Sequence, residues 1–142
     1  MLQTTIQVGS WKELGHSAAP VRREVFCLEQ NIPAELEWDS MDELSLHAIA
    51  RDAQGRVCGT GRLLPDGHIG RMAVLKPWRG TGVGGLILET LIAEAKRRGD
   101  TEVVLHAQSA VAAFYLKHGF AREGAEFIEA GILHVTMRRR LA

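Results

Sequence analysis

The sequence predicts a mixed α/β (α+β) fold, in which a mixed, mostly antiparallel sheet is flanked by helices. The chain has 142 residues, 46% of them hydrophobic and 24% charged, which suits a single globular domain spanning residues 1–142. Short segments of strand character alternate with segments whose apolar residues recur at helical spacing. One stretch, from Ile69 to His106, runs strand, helix, strand, and it predicts a parallel strand pair within the sheet.

The first half of the chain predicts a strand, a helix and then an antiparallel meander. Thr4–Val8 has the composition of an opening strand. Ala18–Gln30 has apolar residues at helical spacing, with Pro20 in the first turn, where proline is tolerated. Three strands separated by turns rich in Asp, Pro and Gly follow, at Leu46–Arg51, Val57–Leu64 and Ile69–Leu75.

The second half predicts two helices and three further strands. After a loop at Pro77–Gly82, one helix has a single apolar face, formed by Leu86, Leu88, Leu91, Ile92 and Ala95. This helix ends near Gly99, after two arginines in its last turn. The remaining predicted elements are a strand at Glu102–His106, a helix at Ala110–His118, and a strand pair at Phe120–Phe127 and Ile132–Met137.

Charge and cysteine content exclude several classes of protein. Seventeen basic residues balance seventeen acidic ones, so no global positive field favours nucleic acid or an anionic membrane as a partner. No apolar stretch approaches the roughly 20 residues of a bilayer span, and the N-terminus lacks the features of a secretion signal. Cys27 and Cys58 have apolar neighbours and no metal-binding spacing, which predicts buried free thiols in a cytoplasmic protein.

A glycine-rich turn, Arg79-Gly80-Thr81-Gly82-Val83-Gly84-Gly85, lies between a predicted strand and a predicted helix. Glycines let a backbone approach a ligand closely, and the amides of a helix N-terminus bind phosphate oxygens. Residues 80–85 also fit G-x-G-x-x-G, but a dinucleotide site needs an acidic residue ending the next strand, which instead runs into Gln108. The Walker pattern fails because no Lys-Ser/Thr pair closes the turn.

The turn does fit the pattern R-x-x-G-x-G through Arg79, Gly82 and Gly84. With Ile69–Val74 before the turn and Ala113–Phe120 after the next strand, the chain resembles the GCN5-related N-acetyltransferases (GNAT) over most of its length. Further positions resemble a small bacterial GNAT branch whose acceptors are mostly undefined: Arg23, Phe26, Glu29–Pro33, Glu37, Asp39, Asp42 and His47.

The resemblance implies acetyl-CoA as co-substrate and assigns residues to it. The pyrophosphate would lie on the amides of Gly80–Gly85, and the pantetheine arm beside Met72–Val74, where a strand bulge would free an N–H for the thioester oxygen. The expected coenzyme-binding residues are Met72, Ala73, Val74, Arg79, Gly80, Thr81, Gly82, Val83, Gly84, Gly85, Gln108 and Phe114. Gln108 departs from the family, which often has Asn there, but Gln offers the same polar groups on a longer stem.

Acetyl transfer to an amine needs a base, an oxyanion site and a proton for the departing thiolate. Because a thioester is already activated, we expect direct attack by a primary amine in a ternary complex, without a catalytic cysteine. The resemblance implies Tyr115 as the general acid, and His134 is a candidate base because imidazole can accept a proton near neutral pH. The base stays open among His134, Glu129, Glu37, Asp39 and a water molecule.

An acidic run from Glu29 to Glu43 contains six carboxylates and no basic residue: Glu29, Glu35, Glu37, Asp39, Asp42 and Glu43. We expect this run to attract a cationic acceptor, which would make contacts among Glu29, Glu37, Asp39 and Glu129. A small-molecule amine is favoured over a protein amine. Arg62 and Arg71, inside strands, are expected to be paired structural ions.

Two other functions fit parts of the sequence. A non-catalytic acyl-CoA-binding module would keep residues 79–85 but would not need Tyr115, and a dinucleotide-binding protein is disfavoured by Gln108. The six histidines lack the spacing of a metal site, so we expect no metal, and His106 is interpreted as a core-edge residue. The oligomeric state stays open, with a homodimer through the C-terminal strands as one arrangement.

Overall fold

Two antiparallel sheets form the framework of the protein. The computed structural model describes residues 3–141, so Met1, Leu2 and Ala142 of the predicted domain lie outside the described residues. The first sheet has the strand order β1-β2-β3-β4, with β1 Thr5–Ser10, β2 Leu46–Arg51, β3 Val57–Leu63 and β4 Ile69–Val74. The second has the order β5-β7-β6, with β5 Glu102–Gln108, β6 Ala121–Glu129 and β7 Ile132–Arg140. The predicted fold class is confirmed, and the meander gains β1 as a fourth strand.

The two sheets meet at a single parallel bridge. His68 pairs with Val104, whose N–H donates to the carbonyl of Gly67 at 3.1 Å. The sequence predicts a longer parallel pair, but β4 and β5 belong to different sheets beyond this point. A bulge in β4 places Arg71 and Met72 opposite one residue of β3, and Arg71 has a φ of 50°. Because a bulge bends its strand, it accompanies the separation of β4 from β5 and leaves space between them.

The first helix, α1, spans Trp11–Arg22 and continues as a π-helical segment, Arg23–Glu29. It begins seven residues before the predicted Ala18, because Ser10 and Glu13 form a capping box. The Ser10 hydroxyl accepts from the Glu13 N–H at 3.2 Å, and the Glu13 carboxylate accepts from the Ser10 N–H at 2.9 Å. Pro20 consequently lies inside α1 and not in its first turn.

The other helices are α2 Ala34–Glu37, α3 Val83–Arg97 and α4 Ala112–Lys117. On one face of the first sheet, α1 packs Leu14 and Ala18 against Ile49. On the other face, α3 buries Ile87 and Leu91 against the glycines of β3. Leu86, predicted on the buried face of α3, is instead exposed.

The two cysteines differ in burial. Cys58 is buried in the main core, whereas Cys27 is half-buried on the π-helical segment, so the expectation of two buried thiols is correct only for Cys58. Both are free thiols.

Among the described residues, no helix is long and apolar enough to cross a membrane.

Candidate active site

A cavity of about 770 Å³ lies where β4 and β5 separate. Its walls come from the π-helical segment, the loop after α2, β4, and the ends of β5 and β7. It is lined by ten residues of the predicted site: Glu37, Asp39, Met72, Ala73, Val74, Arg79, Gln108, Tyr115, Glu129 and His134. The predicted residues Gly80–Gly85 and Phe114 lie outside its lining, and Glu29 instead lines a second cavity beside α1.

The glycine-rich turn has an open side. Gly80 and Gly82 have φ angles of 79° and 91°, which L residues rarely adopt, and a Cβ on either would meet no atom within 4 Å. Gly82 precedes α3, and no side chain caps the free amides of the first turn of this helix. Glycine is favoured at position 85 for a different reason, because a Cβ there would lie only 3.1 Å from Nε2 of His118. The turn can therefore offer backbone N–H groups to an anion.

Arg79 ties this turn to the π-helical segment. Its guanidinium donates to both carboxylate oxygens of Glu29, at 2.6 and 2.7 Å, and its Nε donates to the Val74 carbonyl at 2.9 Å. The hydrogen bond from Arg79 holds the pKa of Glu29 below its usual range. The carboxylate of Glu29, which the sequence predicts to contact the acceptor, is thus paired with Arg79 instead.

Two buried arginines, Arg22 and Arg62, meet at the carboxylate of Asp42. Arg22 donates to one Asp42 oxygen at 2.8 Å, and Arg62 donates to the same oxygen at 3.0 Å. The Asp42 carbonyl accepts from Nε2 of His47 at 2.8 Å. Burial lowers the pKa of His47, so this imidazole favours its neutral form. Asp42 is completely buried and forms the centre of an ion network.

The carboxylates of the acidic run that reach the cavity are paired as well. Glu37 accepts from Arg22, while Asp39 accepts from Arg62 at 2.7 Å and from Arg71 at 3.1 Å. Although burial favours its neutral form, the hydrogen bond from Arg62 holds the pKa of Asp39 below its usual range. Arg62 and Arg71 are paired ions, as expected, but four of the six carboxylates of the acidic run are paired with arginines and are not a free negative patch for the acceptor: Glu29, Glu37, Asp39 and Asp42.

Tyr115 lies on α4 and reaches the cavity from a buried position. The residue is 8% exposed, and its ring is held edge-on by Phe114 and Phe120 at centroid distances of 5.0 and 5.9 Å. Its hydroxyl makes no hydrogen bond to any described residue, and burial raises the pKa of Tyr115 to about 12. The phenol therefore keeps its proton at neutral pH, and its hydroxyl is free to donate a hydrogen bond to a ligand.

His134 lies on β7, where it is 6% exposed and lines the same cavity. Its Nδ1 is 2.7 Å from the Ile132 carbonyl, and since a carbonyl only accepts, Nδ1 carries a proton, so that in the neutral imidazole the lone pair is on Nε2. Nε2 lies 3.8 Å from one oxygen of Glu129, whose other oxygen is 3.0 Å from Nδ1 of His106. His106 is exposed and hydrogen-bonded to Glu129, and thus not the core-edge residue that the sequence predicts.

Gln30 is a cavity residue to which the sequence analysis gave no role. The side-chain amide of Gln108 donates to the Gln30 carbonyl oxygen at 2.9 Å, across 78 residues of chain. The sequence did contain a signal that Gln30 could be functional, because it lies in the segment that resembles the small bacterial branch. The longer stem of Gln108, compared with Asn, makes this bridge from β5 to the π-helical segment.

Three further residues that the sequence did not predict also line the cavity. His68 and Asp66, from the turn before β4, line it, and their side chains are joined at 3.0 Å. Val111, exposed at the start of α4, lines it as well.

Within residues 3–141, no three His, Cys, Asp or Glu side chains are grouped so as to hold a metal ion.

Comparison with known proteins gives a consistent picture. Residues 12–141 match the family described as an acetyltransferase (GNAT) domain. An uncharacterized N-acetyltransferase of Bacillus subtilis, YjcF, is 41% identical over 123 residues, which cover 84% of this chain and 87% of that protein. The structure of an acyl-CoA N-acyltransferase from Pseudomonas aeruginosa is 32% identical, with a TM-score of 0.81 and coverage of 98% of this chain and 99% of that one. Escherichia coli ElaA shares the fold, with a TM-score of 0.86 at 24% identity over 97% of this chain and 100% of its own.

Proposed function

This chain belongs to the GNAT family and is an N-acetyltransferase, and from this premise we propose that it moves an acetyl group from acetyl-CoA to a primary amine of a small molecule. One observation carries the proposal. A single cavity brings together His134, held through Nδ1 by the Ile132 carbonyl, the protonated phenol of Tyr115, and the bulged strand β4. A module that only binds acyl-CoA would need neither the imidazole nor the phenol in this position.

The residues present suit the coenzyme. The open glycine turn and the uncapped start of α3 offer amides for the pyrophosphate, and the bulge leaves Arg71 and Met72 outside the β3–β4 ladder, next to the cavity. When bound, acetyl-CoA supplies an activated acetyl thioester. An enzyme nucleophile is then unnecessary, which agrees with Cys58, whose thiol pKa is raised by burial.

Each residue has a separate role in the proposed reaction. His134 accepts a proton from the acceptor amine at Nε2, while its Nδ1 hydrogen bond to the Ile132 carbonyl holds the required tautomer. A backbone N–H in the bulge of β4 donates to the carbonyl oxygen as negative charge develops there. Tyr115 donates its hydroxyl proton to the departing sulfur. Attack in a ternary complex requires only that the cavity hold both substrates in line.

The test measures thiol release from acetyl-CoA across a panel of amines, together with acetyl-CoA binding by calorimetry. We expect His134→Gln to lower kcat/KM by about 10² to 10⁴, the usual contribution of a general base, with unchanged acetyl-CoA affinity. His16, an exposed histidine outside this cavity, provides the matched control, and His16→Gln should retain full activity.

The outcomes separate the alternatives. Binding of acetyl-CoA without transfer to any amine would favour the non-catalytic module. Binding of NAD in place of acetyl-CoA would favour a dinucleotide site. Full activity of a folded His134→Gln variant would remove His134 as the base and leave Glu129 or water in that role.

A further inference from the structure

We propose that the acceptor carries a second positive charge besides its reacting amine, and that Asp66 and Glu129 bind this charge. The inference rests on the proposed transfer to an amine and specifies the class of acceptor. Four carboxylates line the cavity, and two of them, Glu37 and Asp39, have arginine partners. Asp66 and Glu129 form salt-bridge contacts only with imidazoles among the described residues.

These groups form a continuous row along one end of the cavity, which we call the histidine row: Asp66, His68, His106, Glu129 and His134. Asp66 is 3.0 Å from Nδ1 of His68, and the His68 and His106 rings are edge-on at 5.9 Å. His106 is 3.0 Å from one Glu129 oxygen, and the other oxygen is 3.8 Å from His134. The row connects the turn before β4 with β5 and β7.

The row also contains a polar atom without a hydrogen-bond partner. The His134 side chain is 8% exposed, and its Nε2 makes no hydrogen bond to any described residue. The hydroxyl of Tyr115, a buried residue that lines the same cavity, likewise has no described partner. These two polar atoms, on residues that line one cavity, leave hydrogen-bonding capacity for a polar ligand there.

The charge balance of the cavity indicates the sign of that ligand. Asp66 and Glu129 have no arginine or lysine within salt-bridge distance among the described residues, so no permanently charged side chain pairs with them. Four carboxylates of the acidic run, in contrast, each pair with an arginine: Glu29, Glu37, Asp39 and Asp42. A cation is the ligand that this end of the cavity suits best.

An acceptor with a single amine would not keep the two carboxylates of the histidine row paired throughout the reaction. The reacting amine must lose its charge before it attacks, and an acceptor with one amine would then leave both carboxylates unpaired. A second ammonium or a guanidinium keeps its charge throughout, so that it stabilises the complex before and after deprotonation. The geometry thus favours diamines and amines that bear a guanidinium over simple alkylamines.

The experiment compares 1,4-diaminobutane with 1-aminobutane, which have the same carbon chain and differ by one ammonium. Binding of each is measured by calorimetry to the protein saturated with free CoA, and kcat/KM is measured with acetyl-CoA. We expect the diamine to bind at least tenfold more tightly than the monoamine to the wild-type protein. Asp66→Asn and Glu129→Gln should each reduce diamine affinity about tenfold, with less than a threefold effect on the monoamine.

Controls separate local charge from structural damage. Asn at position 66 keeps an oxygen that can accept the 3.0 Å hydrogen bond from the His68 N–H, so the turn is preserved. Glu43→Gln removes an exposed carboxylate of the acidic run outside the cavity and should change neither affinity. Circular dichroism and thermal melting establish that each variant is folded.

The inference is overturned if the monoamine binds as tightly as the diamine, or if the preference survives in both carboxylate variants. These outcomes are distinct from failure of the proposed reaction. A diamine that binds in the expected carboxylate-dependent way but is not acetylated contradicts the reaction and supports the ligand class. Acetylation of monoamines in preference to diamines supports the reaction and contradicts the ligand class.

Discussion

Replacing Tyr115 with Phe tests the proposed chemistry with the smallest structural change. The variant loses one oxygen and keeps the ring that contacts Phe114 and Phe120. Because the hydroxyl has no hydrogen bond to a described residue, its removal leaves no partner unsatisfied, and stability at pH 7 should change by less than about 1 kcal/mol. If the hydroxyl supplies the leaving-group proton, kcat should fall by about 10² to 10⁴, equivalent to about 3 to 5 kcal/mol in the barrier.

The same substitution has a calculable effect on alkaline stability. Burial raises the pKa of Tyr115 from 10.0 to about 12, so the unfolded chain ionises at a lower pH than the folded protein. The stability contributed by this group is complete below pH 10 and is lost as the pH rises toward 12. At about 1.4 kcal/mol per pKa unit, the loss is on the order of 2 to 3 kcal/mol. Tyr115→Phe should not show this share of the alkaline destabilisation.

The assay is steady-state thiol release from pH 6 to 9, with acetyl-CoA affinity measured separately and urea unfolding at pH 7 and pH 11. Within pH 6 to 9 the buried phenol keeps its proton, so the rate deficit of Tyr115→Phe should be constant across that range. A folded variant that turns over at the wild-type rate would refute the acid role and make Tyr115 a packing residue. A large loss of acetyl-CoA affinity would instead assign the hydroxyl to binding.

Three further predictions concern the turn, the ion network and the glutamine bridge. Gly82→Ala, at a φ of 91°, should weaken acetyl-CoA binding at least tenfold in calorimetry, whereas Gly55→Ala, at a φ of 81° in an open hairpin turn, should show a similar loss of stability, about 1 kcal/mol, without affecting binding. Asp42→Asn leaves two buried arginines short of a counter-charge and should lower the free energy of unfolding in urea by about 3 to 5 kcal/mol; a loss under 1 kcal/mol would contradict the network. Gln108→Asn shortens the bridge to Gln30 and should raise the acetyl-CoA Kd about fivefold, and adding Gln30→Ala should have little further effect; independent, additive losses would argue against the bridge.

Most of the fold could be predicted from local sequence patterns. The strand at Leu46–Arg51 was predicted to the residue, and α3 was recognised because its apolar spacing and flanking glycines repeat over short distances. The early start of α1 was also legible, since Ser10 and Glu13 have the S-x-x-E spacing of a capping box. Its π-helical continuation has no comparable short-range pattern. The turn at Arg79–Gly85 indicated the family only together with Ile69–Val74 and Ala113–Phe120, and two of its glycines, Gly80 and Gly82, have positive φ angles.

The sequence by itself determined the fold class and the family, because both follow from the order of short patterns along the chain, and it predicted candidates for the acid and the base. Only the tertiary structure decided where the negative charge of the site lies. The arginines that pair with four carboxylates of the acidic run are 15 to 50 residues away from their partners, on α1, β3, β4 and the glycine turn. Ion pairing depends on distance in space, so a run of carboxylates in the sequence could not reveal that the cavity carboxylates without an arginine partner are Asp66 and Glu129, both outside the run.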